Sequence, residues 1–114
     1  MKWFVAKLIF RICNVGRPQF DEHLRLISAI NSEEALLKSR LIGISEEDSF
    51  LNENNETVKW EFVNVADLRP LDKLKDGAEL YSCIREHDEH ECISYVRSVH
   101  QRAYEMQISE ISSN

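Results

Sequence analysis

The densest run of side chains able to do chemistry is His87-Asp88-Glu89-His90-Glu91-Cys92, with Cys83 and His100 close by in sequence. On a helix His87 and His90 stand at i and i+3 and Glu91 at i+4. Two imidazoles and a carboxylate could then hold a divalent metal from one face, as a small metal-dependent enzyme or ligand binder would, with Cys83 as a further donor. Nothing completes the coordination sphere, however: the chain has no HExxH, no CxxC and no matching distant pair. The same residues also have a simpler use. Asp88 with Glu91 is a capping-box pattern, and carboxylates favour the positive end of a helix. On that reading the histidines face solvent, Cys92 begins an apolar seam, and no cofactor is expected.

Nucleophile and general-base sets are no better assembled. Trp60-Glu61 lies in an alternating run that puts Trp60 inside and Glu61 outside, where a strand glutamate normally serves as a cross-strand ion-pair partner. Cys13 and Cys83 fall within expected strands and read as packing residues. No GxSxG elbow and no glycine-rich phosphate loop is present. No catalytic residue is therefore named. A cationic surface is the remaining candidate. If the strands pair as hairpins, Lys7 and Arg11 stand beside His23 and Arg25, with Lys59 and Arg85 on the same outer face. Lys7, Arg11, Arg25 and Lys59 are accordingly the expected ligand-binding residues for an anion or a partner's carboxylates. Glu22, Glu61 and Glu79 are near enough in sequence to turn that strip into a salt-bridged surface instead.

These residues need elements to position them. Residues 3–13 form a strand whose even positions, Phe4, Ala6, Leu8, Phe10 and Ile12, are all apolar, while Lys7 and Arg11 interrupt the odd ones. Asn14 to Gln19, with Gly16 and Pro18, reads as a loop. From Phe20 to Ala29 the alternation resumes, with Phe20, Leu24 and Leu26 on one side and Asp21, His23 and Arg25 on the other. Asn31 is an N-cap with Glu34 three residues on, and the helix is expected to run to about Leu41 with Gly43 as its stop. Its apolar residues form two stripes, Ala35/Ser39/Ile42 and Leu37/Leu41/Ile44, on nearly opposite sides. Ser49-Phe50-Leu51, an Asn-rich turn and Thr57 to Val65 make a hairpin that continues extended into Pro70. A last strand is expected over residues 78–86. A C-terminal helix then carries Cys92, Val96, Val99, Ala103 and Met106 at spacings of four and three.

The motif string in this order is Trp-Phe-Val-Ala-Lys-Leu from residue 3, Phe20-Asp-Glu with Leu26-Ile27, and Ser32-Glu-Glu-Ala35. It continues with Ser49-Phe-Leu-Asn52, Glu56-Thr-Val-Lys-Trp-Glu-Phe-Val63 and Asp76-Gly-Ala-Glu-Leu-Tyr-Ser82. It resembles the bacterial family catalogued as domain of unknown function 4288, over roughly residues 3–85. The resemblance implies a small bacterial intracellular domain and carries over no catalytic or binding residue.

The expected fold is α+β: an antiparallel sheet of four or five strands in the order β-β-α-β-β-β, one packed helix and a C-terminal helix. The whole chain, 1–114, reads as a single domain, with an α+β core over 1–86, the helix over 87–108 and a frayed tail over 109–114. Of its 114 residues 43% are hydrophobic, and 14 Lys and Arg stand against 20 Asp and Glu for a net charge of −6. Acidity argues against nucleic-acid binding, because that affinity comes from cations neutralising phosphates. No apolar run is long enough to span a membrane. Lys7 and Arg11 inside the apolar N-terminus argue against a signal peptide, and three cysteines without close framing favour a reducing cytoplasm. One helix on one sheet face leaves Trp3, Val5 and Ile9, the Leu37/Leu41/Ile44 stripe and the seam of Cys92, Val96, Val99, Ala103 and Met106 without cover. A non-enzymatic interaction module is expected, one that forms a homodimer and has another protein as a further partner.

Overall fold

The computed structural model of the protein describes residues 1–13 and 16–112, the side chains of 108–112 excepted. It divides into two compact units, Met1–Ser82 and Cys83–Asn114.

The first unit is a four-stranded sheet with one helix on it. The elements are β1 (Lys2–Cys13), β2 (Gln19–Ala29), α1 (Ser32–Ser45), β3 (Asp48–Leu51) and β4 (Thr57–Leu71). The strands lie in the order β2-β1-β4-β3, every neighbouring pair antiparallel. With the helix of the second unit the chain reads β-β-α-β-β-α, an α+β fold. The central place of β1 follows from its composition. Phe4, Ala6, Leu8 and Phe10 are buried with Ile27 and Ala29 of β2 and Ala35 of α1, and Ile42, Trp60, Phe62, Val65 and Leu68 pack around them. Two register shifts in the β1–β4 ladder, between Lys7 and Leu8 and between Ile9 and Phe10, add extra residues on β4 and keep its apolar side turned inward.

Asn31 caps α1 as its position demands, its Oδ1 accepting from the Glu34 N–H at 2.9 Å. The expected stop at Gly43 does not occur, for α1 continues to Ser45. Gly43 is buried in the last turn, and a Cβ there would collide with the Phe62 ring. The glycine therefore serves the close approach of α1 to β4 and not a left-handed cap. The β3–β4 turn is built by Asn52, whose Oδ1 accepts from the N–H groups of Asn54 and Glu56 at 2.9 and 3.0 Å. Asn55 takes the left-handed conformation at φ 60°.

The strand expected over 78–86 is absent, because residues 72–88 form no ladder. A turn at Gly77, with φ +81°, breaks the approach. The alternating face there would put Ser82 between Leu80 and Ile84, which is poor material for a buried strand. In its place the segment is tied by side chains: Lys7 Nζ donates to the Tyr81 hydroxyl and Arg69 Nη1 to Ser82 Oγ, each at 3.2 Å.

The described residues of the second unit contain one helix, α2 (Glu89–Ser112). Asp88 Oδ1 accepts from the Glu91 N–H at 2.7 Å, which starts it as the capping pattern predicts. The helix occupies 109–112, where the sequence suggests a frayed tail; 113–114 lie outside the described residues, as do Asn14 and Val15 of the first loop. Taken by itself, one helix offers its own seam of Cys92, Val96, Val99, Ala103 and Met106 no facing partner. Among the described residues no helix is long and apolar enough to cross a membrane.

Candidate functional site

The candidate site is built on β2, an end strand of the sheet. Alternation sends Asp21, His23, Arg25, Ile27 and Ala29 toward α1 and leaves Phe20, Leu24 and Leu26 exposed on the open face. The polar side chains on the α1 side form one hydrogen-bonded chain. Trp60 Nε1 donates to Asp21 Oδ2 at 3.2 Å, and the same oxygen lies 2.6 Å from His23 Nε2. His23 Nδ1 lies 3.1 Å from Arg25 Nη2, which in turn lies 3.4 Å from Glu46 Oε1 at the end of α1.

Chemistry fixes the direction of this chain. A guanidinium only donates, so His23 Nδ1 accepts from Arg25 and Nε2 carries the proton toward Asp21. The imidazole packs on the Phe10 ring at 4.8 Å with both nitrogens engaged. It has no lone pair left to abstract a proton, so the row of acid, imidazole and base orders the strand and does not form a catalytic dyad.

The open face carries a second cluster. Lys7 Nζ stands 4.3 Å from the Tyr81 ring centroid and Arg69 Cζ 5.1 Å from it, so one aromatic ring serves two cations. Arg69 Nε is also paired with Asp67 Oδ2 at 2.6 Å. The pKa of Lys7 is raised, chiefly by its hydrogen bond to Tyr81, against desolvation and with help from the charges of Glu22 and Asp67. Between the end of β4 and residues 72–82 lies a groove of about 430 Å³. Its cations Arg69, Lys73 and Lys75 are offset by Asp72 and Glu79 on the same wall, with Arg69 already taken by Asp67. The groove therefore presents no surplus of charge.

The expected cationic strip is only partly assembled. Lys7, Arg11 and Lys59 do share the open face, but Arg25 and His23 lie on the α1 side. The reason is register: Lys7 pairs with Leu24 and Arg11 with Phe20, so the β2 cations fall on alternate positions and point the other way. Across the sheet Lys7 faces Asp67 and Arg11 faces Glu61. In the second unit His87 Nδ1 is 3.4 Å from Glu91 Oε2 and its ring stacks on Tyr95. His90 does not join them, and the described residues hold no group of three His, Cys, Asp or Glu side chains arranged to take a metal ion.

Of the apolar residues expected to be uncovered, Val5 is buried and Ile9 half-buried on the central strand, whereas Trp3 and the outer stripe of α1 are in the open. Ala35, Ser39 and Gly43 of α1 are buried, whereas Leu37, Leu41 and Ile44 are 57, 58 and 55% exposed. Phe20, Leu24 and Leu26 of β2 add 60, 51 and 45%. Their alternation is plain in the sequence, but only the register shows that they stand on the face away from α1. Tyr81 and Arg69 give no signal in spacing, since their contact joins a strand to an irregular segment.

A four-stranded antiparallel sheet with one face under a helix and an open end strand, with no catalytic group assembled among the described residues, defines a small α+β domain. Residues 3–82 match the family model described as Domain of unknown function (DUF4288), and the chain belongs to that family. No curated protein and no solved structure matches it.

Proposed function

We propose that this domain is a non-enzymatic protein-interaction module that pairs with a second copy of itself. The observation that carries the reading is the exposure of two apolar rows, Leu37/Leu41/Ile44 and Phe20/Leu24/Leu26, at 45–60% each in a small domain. Covering what remains exposed of one such side chain is worth roughly 1 kcal/mol. Association costs at least ~4 kcal/mol in lost freedom, so several of them must be covered together for a stable pair. The polar groups support the same reading, because Trp60, Asp21, His23, Arg25 and Glu46 are engaged with one another and not aimed at a substrate. Work in a reducing compartment is part of the proposal and rests on the odd cysteine count. Light scattering of the purified chain at micromolar concentration is the test. A mass of two chains is expected, and a mass of one chain overturns the reading.

A further inference from the structure

We infer that the second copy joins at the free edge of β2, strand against strand and antiparallel, with Asp21 and Arg25 pairing reciprocally across the seam. The inference rests on the self-association proposed above and adds its surface and register.

β2 bonds to β1 on one side and, as the end of the sheet, carries no strand on the other among the described residues. A two-fold axis normal to a sheet makes an end strand its own antiparallel partner. Natural edges are blunted by proline, charged side chains, bulges or a covering element; β2 does carry charges, but Asp21 and Arg25 are of opposite sign and match each other in one register. β2 has eleven residues without proline or lysine, and its ladder to β1 runs without a register shift.

The charges on the α1 side of β2 are ordered acid, imidazole, base. Turned over about His23, that order sets Asp21 against the partner's Arg25 and Arg25 against the partner's Asp21. On the open face the same register sets Phe20 against the partner's Leu26. Centring the pair on Leu24 instead sets Asp21 against Ile27, and centring it on Glu22 sets Arg25 against Gln19. Only the His23-centred register satisfies both charges. The side chains have capacity to spare for it. His23 and Trp60 both use Asp21 Oδ2, and Oδ1 takes no hydrogen bond among the described residues. Arg25 uses only Nη2, which leaves Nε and Nη1 to donate. Asp21 is 32% and Arg25 35% exposed, so neither has yet left water. Lys38 holds the Ser28 carbonyl, one residue beyond the paired stretch 19–27, and need not move.

The test uses full-length chains and sedimentation. Asp21→Arg and Arg25→Asp each place like charges across the seam and are expected to weaken the dimer about tenfold or more. When the two variants are mixed, one chain presents two guanidinium groups and the other two carboxylates, so a heterodimer should re-form with affinity near that of the unaltered chain. Phe20→Lys, on an exposed position, should also split the dimer, and circular dichroism confirms that each variant is folded. A monomeric unaltered chain overturns both the reading and this seam. A dimer that survives Phe20→Lys and both charge reversals, yet dissociates in Leu37→Glu/Leu41→Glu, keeps the reading and overturns the β2 edge.

Discussion

At the scale of a residue, Gly43 sets how closely α1 approaches the sheet. Its missing Cβ is the space that the Phe62 ring fills, and Phe62 in turn packs on Phe10 at 5.7 Å. Alanine would gain about 0.5–1 kcal/mol from lower backbone entropy in a helix, but overpacking costs about 1–3 kcal/mol. Gly43→Ala should therefore destabilise the fold by about 1 kcal/mol in urea denaturation, and Phe62→Leu in the same chain should relieve most of it. A Gly43→Ala variant as stable as the parent would mean the ring turns aside freely. In sequence the position reads as a stop because glycine past a helical run usually ends it. The signal for close approach sits on another element, in Phe62, which no local pattern connects to the helix.

Between elements the legible parts are those with a strict period or a cap. Alternation places β1, β2 and the β3–β4 hairpin, and Asn31 and Asp88 mark the starts of α1 and α2, since these signals are written within a few residues. The fifth strand is missing although 78–86 alternates, because pairing is a property of two segments and Tyr81 and Ser82 are tied by side chains to Lys7 of β1 and Arg69 of β4 instead of lying along an edge. What holds residues 72–82 is Tyr81, set between Lys7 and Arg69. That contact has a pH signature. The folded chain raises the Lys7 pKa above 10.5, so the contact's stabilisation is complete below that value and is lost as pH climbs through the higher folded pKa. The stability difference between the parent and Lys7→Met should be flat from neutral to mildly alkaline pH and shrink above the ordinary lysine range. Thermal denaturation against pH measures it. Amide hydrogen exchange should show residues 72–82 opening faster in Tyr81→Ala while β1 keeps its protection; unchanged exchange there would assign the anchoring elsewhere.

Over the whole molecule, charge bears on which partners the chain favours. A helix on an antiparallel sheet is also the layout of double-stranded RNA-binding domains, so the architecture alone does not dismiss polyphosphate ligands. The distribution of charge argues against them. The chain carries −6, with 20 acidic against 14 basic residues. Polyanion affinity comes from cations that neutralise phosphates and release their counterions. Here Lys7 faces Asp67 and Arg11 faces Glu61 across the sheet, and Arg25 lies on the opposite face beside Glu46. The start of α1, where backbone N–H groups would welcome a phosphate, holds Glu33 and Glu34 instead. The full chain should pass through a heparin column at physiological salt and leave the mobility of duplex RNA unchanged. Retention that falls steeply with added salt would show that the open face gathers phosphates in spite of its acids.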